Sequence, residues 1–225
     1  VSGCTQLSCS NSGGRLPSVL TGREKRQIEE DVLPKFLPLQ RWFAAKDRPI
    51  LKAGIEPIGE LDEGRKILTE LAIEVEGTTH RYFLPLSARW GEENLAFGAP
   101  KLSYTIAKLR HGPRVGALVD GVYDEDLAMR LLSHMREGAI LESPAGRIVP
   151  GGSARLAELD DPGEPRPIGV EQSNLSVAFG DKVILKIYRR LRDGKQPEVE
   201  MSRFLTEHGF EHTPAFLGCI EHQPA

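Results

Sequence analysis

A single lysine inside an otherwise apolar run constrains this chain more than any other feature. Val183-Ile184-Leu185-Lys186-Ile187-Tyr188 has the β-branched and aromatic composition of a strand, and Lys186 interrupts it. An ammonium inside an apolar sheet is costly unless it is paired, or unless its stem packs while its head reaches water. Pro197-Glu198-Val199-Glu200-Met201-Ser202-Arg203-Phe204-Leu205, a few residues later, reads as a helix opening at a proline. Its two glutamates are two positions apart and lie on different helical faces, so only one of them can meet Lys186. Glu200 is the preferred partner and Glu198 the alternative. The plainer reading is a lysine at a sheet edge beside two solvated carboxylates.

The 225 residues are 40% hydrophobic, enough to bury a substantial core in one domain or in two to three small ones. Lys and Arg number 29 against 32 Asp and Glu, for a net charge of -3, which argues against broad binding to nucleic acid or acidic membrane. Cys4, Cys9 and Cys219 suggest neither a disulfide framework nor a metal cluster. No apolar run is long enough to span a bilayer, and no basic segment precedes an apolar one. A soluble cytoplasmic protein is expected.

Residues 1–17, rich in Gly and Ser, read as a flexible tail or linker. Thr21 with Glu24 offers a capping box for a helix to Leu33, ended near Pro34, and residues 35–46 offer a second short helix. Leu33, Phe36, Leu39 and Phe43 are expected to bury against strands carrying Ile55, Leu71, Ile73 and Phe83. Trp42 and Phe43 read as core aromatics. Strands are expected at 50–61, 66–75 and 80–86, with turns at Asp62-Glu63-Gly64 and Glu76-Gly77-Thr78. A second unit then begins after Trp90, with a strand over 115–122. Its helix over 124–136 carries Leu127, Leu131, Leu132 and Met135 and stops at Gly138. Asp160 to Pro167 reads as a linker or long turn, followed by strands near 168–172, 175–179 and 183–188, a helix over 198–208 and a strand start at 216–220.

A strand lysine fixed by a helix glutamate is an arrangement that holds nucleotide phosphates, the lysine acting as a point charge. The expected cofactor-binding set is Lys186 on a central strand, Glu200, and Gln172, Ser173, Asn174 and Ser176 in the loop between the first two strands. That loop has no glycine-rich phosphate motif, so backbone amides and these polar side chains would form the cradle; a polar β-turn fits them equally well. The basic run of Arg189, Arg190, Arg192 and Lys195 reads as a solvated face. None of the six histidines stands in a metal-binding motif, no metal ligands are assigned, and no catalytic residue is expected within this stretch.

Residues 33–46 (LPKFLPLQRWFAAK), 169–177 (GVEQSNLSV), Lys186 and 197–205 together resemble the N-terminal part of bacterial maltokinases of the type fused to trehalose synthase. The resemblance implies an α+β fold. It would comprise an antiparallel-sheet cap subdomain over 18–90, an intermediate subdomain over 91–160, and the first strands and helix of a protein-kinase-like N-lobe over 161–225, with the C-lobe absent. It implies transfer of the ATP γ-phosphate to maltose, giving maltose 1-phosphate for α-glucan synthesis, with ATP and Mg2+ in the complete protein. The implied partners are maltose and a linked or associated trehalose synthase domain, with neither nucleic acid nor membrane. Lys186 matches the family's phosphate-binding lysine and Glu200 its helix glutamate, whereas Leu175 stands where a small polar residue is usual. The fragment alone is expected to be inactive. Two other readings remain open: a small-molecule kinase of the aminoglycoside-phosphotransferase-like class, and a non-catalytic cap or binding module.

Overall fold

Two tight turns fold the first half of the chain into a meander. Asp62 and Glu63 adopt positive φ at one turn, and Glu76 and Gly77 at the other, where the two-residue loop needs left-handed backbone at both positions. The computed structural model describes residues 5–8, 15–95, 102–168 and 174–225. Strand β1 (Gln6–Ser8) is followed by 3-10 residues Leu16–Leu20, α1 (Gly22–Gln27), a π-helical turn at Ile28–Val32, α2 (Leu33–Phe36) and a 3-10 turn at Leu37–Leu39. Next come β2 (Ile50–Leu61), β3 (Lys66–Val75), β4 (Thr78–Phe83), β5 (Leu86–Trp90), β6 (Thr105–His111) and β7 (Arg114–Asp120). The remainder holds α3 (Glu125–Glu137), β8 (Leu141–Ser143), β9 (Gly146–Gly152), α4 (Ala154–Ala157) and β10 (Pro165–Ile168). It ends with β11 (Asn174–Phe179), β12 (Val183–Tyr188), β13 (Arg190–Leu191), α5 (Pro197–Glu207) and β14 (Gly218–Pro224).

The fold is mixed α+β with mostly antiparallel sheets. The large sheet runs β1-β6-β7-β5-β3-β4-β13, with β2 paired to β3. Two three-stranded sheets accompany it, β10-β11-β12 and β14-β9-β8. The helical segment lays Leu33, Phe36, Trp42 and Phe43 onto Ile55, Leu71 and Ile73, all buried in one cluster. Helix α3 presents Leu127, Ala128, Leu131, Leu132 and Met135 to two further clusters and stops at Gly138, whose φ of 68° suits glycine. Among the described residues no helix is long and apolar enough to cross a membrane.

Several expectations change. Pro34 does not end the first helix: lacking an amide hydrogen, it cannot donate to Glu30, and the backbone widens into the π turn and continues, with the Leu33 amide reaching Ile28 O. Thr21 forms no side-chain cap, because its hydroxyl donates instead to Ser18 O. Leu39 is 79% exposed, since the chain tightens into the 3-10 turn and rotates it off the core face. Phe83 packs against the α3-side cluster rather than with Phe36. The described part of the expected flexible tail contributes β1, parallel to β6, with Leu7 fully buried. A division at residue 90 would fall inside a sheet, because β5 pairs with β7 from Leu86–Asp120 to Trp90–Gly116. The expected linker at 160–167 runs into β10.

Leu71→Ala should lower stability by about 2–5 kcal/mol, the usual cost of a fully buried leucine. Leu39→Ala, at the exposed position, should stay within about 0.5 kcal/mol. Urea midpoints of the two variants check the assignment; a larger loss at Leu39 would contradict it.

Candidate functional site

Strand register decides which side chains share the site. In the β11–β12 pair, Asn174 faces Tyr188, Ser176 faces Lys186 and Ala178 faces Ile184, and opposed residues point to one side of the sheet. The alternate set, Leu175, Val177, Phe179, Val183, Leu185 and Ile187, packs into the clusters containing α3. The sheet thus turns one side to the core and offers Lys186 on the other. Beside Lys186 on that side lies Ile184, 57% exposed, which forms an apolar ledge next to the cation, while Ser176 and Ala178 on the neighbouring strand are buried. The sequence reading missed this ledge, although the strict alternation of Ile184, Lys186 and Tyr188 carries its signal.

The Lys186 partner is Glu198, not Glu200. Lys186 Nζ donates to Glu198 Oε1 at 2.7 Å, and the ammonium stands 5.9 Å from the Tyr188 ring centroid. The reason lies in helical phase. Gln196 caps α5 by accepting the Val199 amide at 2.9 Å, and Pro197 opens the helix. Both glutamates stand in the first turn and both are exposed, but two residues of helix turn them about 200° apart, and it is Glu198 that faces back to the strand. The hydrogen bond from Lys186 holds the Glu198 carboxyl below the usual carboxylate range; partial burial opposes this, and a hydrogen bond from Tyr188 adds to it.

Strand β12 lies at the end of its three-strand order rather than at the centre, so Lys186 reaches α5 from an edge. Asn174 and Ser176 lie on the Lys186 side of the neighbouring strand, and Gln172 and Ser173 lie outside the described residues. Helix α5 buries none of its residues. Besides Glu198, it is tied by Thr206 Oγ1, which accepts the Phe216 amide at 2.7 Å, and by Arg203 over the Phe216 ring at 5.1 Å. Among the described residues no three carboxylate, histidine or cysteine side chains converge to hold a metal ion. The magnesium implied by the resemblance therefore has no ligands assigned here.

Because Glu198 is depressed in the folded chain, its pair contributes fully above the ordinary carboxylate pKa and is lost as pH falls through the lowered value. Protection of the α5 amides against exchange, taken relative to the intrinsic rate at each pH, should accordingly fall in acid before protection in β3 does. Glu198→Gln should lower it already at neutral pH and flatten the acid dependence, whereas Glu200→Gln should leave both unchanged. Equal effects of the two variants would remove Glu198 from the pair.

Residues 36–124 match the family model described as the maltokinase N-terminal cap domain. The match begins at the end of α2, takes in the strands β2 to β7 and stops at Asp124, before α3 and the β10–β12 sheet. The stretch similar to that cap adjoins the lysine strand, since β4 within it pairs with β13.

Proposed function

We propose that the outward side of the β10–β12 sheet is the nucleotide-phosphate site of an ATP-dependent maltose kinase, and that the matched cap braces it. The observation that carries this reading is the Lys186–Glu198 pair at 2.7 Å, partly exposed beside the Ile184 ledge. An ammonium at that place donates to phosphate oxygens as a compact charge, while Glu198 keeps it from swinging away. Ile184 offers an exposed apolar surface for the base, and the Asn174–Ser176 strand runs alongside. The family match over residues 36–124 and the resemblance at Lys186 support maltose as the acceptor, with maltose 1-phosphate as product. Association with a trehalose synthase domain is supported by the resemblance alone.

The work of Lys186 and Glu198 in this reading is binding and orientation. Among the described residues the proposed site offers no free base for the proton of a sugar hydroxyl, Glu198 being engaged by Lys186, so this chain alone is expected to give no maltose-dependent ATP turnover. It should still bind ATP. Lys186→Met should weaken that binding roughly ten- to a hundredfold, since a hydrogen bond from a charged group is worth about 1.5–3 kcal/mol, while leaving the unfolding midpoint nearly unchanged. Displacement of trinitrophenyl-ATP by ATP measures the first, and a coupled ADP assay with maltose the second. Equal affinity in the two proteins would overturn the nucleotide reading, and brisk maltose phosphorylation by this chain would overturn its division of labour.

A further inference from the structure

Arg189 lies three residues from Lys186 in a run that reads as a solvated basic face, yet it is 2% exposed. The strand alternation explains the burial: Val183, Leu185 and Ile187 point to the core, and Arg189 continues that side while Lys186 takes the other. Its guanidinium donates to Asp120 Oδ2 at 2.6 Å and to Phe83 O at 3.3 Å, and lies 4.7 Å from the Trp42 ring centroid. The Phe83 amide in turn donates to Arg189 O at 2.7 Å. Immediately afterwards, Arg190 and Leu191 join β4 as strand β13. Asp120 is fully buried at the end of β7, where Oδ1 also accepts the Val122 amide.

All of these partners, Trp42, Phe83 and Asp120, belong to the stretch matched as a cap. On the other side of Arg189, β12 is hydrogen-bonded to β11 along one edge only, and α5 beyond it buries no residue. The end of the lysine strand is therefore fastened to the cap by the Phe83 backbone bond, by the pairing of β13 with β4, and by a buried ion pair, Arg189 to Asp120, which reaches across to β7. We propose that Arg189 is a positioning residue for Lys186: held by Asp120, it sets the height and twist of β12, and through it the cap governs nucleotide affinity. The inference rests on the nucleotide reading above.

Lysine in place of Arg189 keeps the charge but loses the fork that reaches Asp120 and Phe83 together, and the flat contact with Trp42. The test is a double-variant cycle on the full chain with Arg189→Lys and Lys186→Met, alone and combined. Asp120→Asn serves as a second, near-isosteric way to loosen the pair. Two readouts are taken: amide exchange in β12 and α5, and ATP affinity by displacement of trinitrophenyl-ATP. Arg189→Lys should speed exchange in β12 and α5 and weaken ATP about three- to thirtyfold, and it should weaken ATP no further once Lys186 is methionine. Asp120→Asn should do the same. Unchanged exchange in β12 in both variants overturns the proposal. So does faster exchange with equal loss of affinity in the two Lys186 backgrounds, which would make Arg189 only a structural residue. If wild type and Lys186→Met bind ATP alike, the nucleotide reading falls and the positioning role with it, and exchange alone then reports whether Arg189 holds the strand.

Discussion

Strand β3 is hydrogen-bonded to β2 along one edge, while its other edge is divided between two strands, with Lys66 and Ile67 pairing to β5 and Glu70 to Val75 pairing to β4. A strand with a shared edge forces the sheet to part. One branch goes by β5 to β7, β6 and β1; the other goes by β4 to β13. The helical segment fills the hollow on one side with Leu33, Phe36 and Phe43, and α3 closes the other side with Leu127 and Leu131. The lysine strand is tied to both branches, since β13 pairs with β4 while Arg189, at the end of β12, reaches Asp120 on β7.

Where the sheet parts, the gap is filled by charge. Lys66 lies 3.3 Å from Asp62 and 3.6 Å from Asp124, Arg89 reaches Asp124 at 3.1 Å, and Arg130 reaches Asp62 at 2.7 Å. Asp124 stands at the cap position of α3 without accepting a helix amide, because its carboxylate is given over to Lys66 and Arg89. Its negative charge still lies favourably near the helix N-terminus. Such a network adds less to stability than its number of contacts suggests, since Lys66, Asp62 and Asp124 must first lose their water and Arg130 stays in it. What it does supply is geometry, joining β3, β5 and α3 at one point.

How much of this could be read beforehand follows from which signals are local. The bounds of β12, β2 and β3 follow from composition and turn residues, and the structure places them at 183–188, 50–61 and 66–75. The choice between Glu198 and Glu200 turned on where the helix begins, and about half a turn of phase depended on Gln196 acting as the cap. The burial of Arg189 was legible in principle from the alternation with Ile187, but four basic residues in a short stretch suggested solvent and hid it. Strand β1 had no local signal at all. Three residues with one leucine become a strand only because β6 offers a partner far away in sequence.

That last strand has a mechanical meaning. β1 lies parallel against β6, matching Gln6 to Lys108 and Ser8 to Arg110, and occupies the outer rim of the large sheet. A rim strand of three residues is held by few bonds, and its grip depends mainly on the buried Leu7. Displaced, it would leave the backbone groups of β6 open, and an extended peptide with an apolar residue in its middle would find a ready template there. The large sheet thus carries its own plug, and the same seat that the lead-in fills is one that another chain could contest.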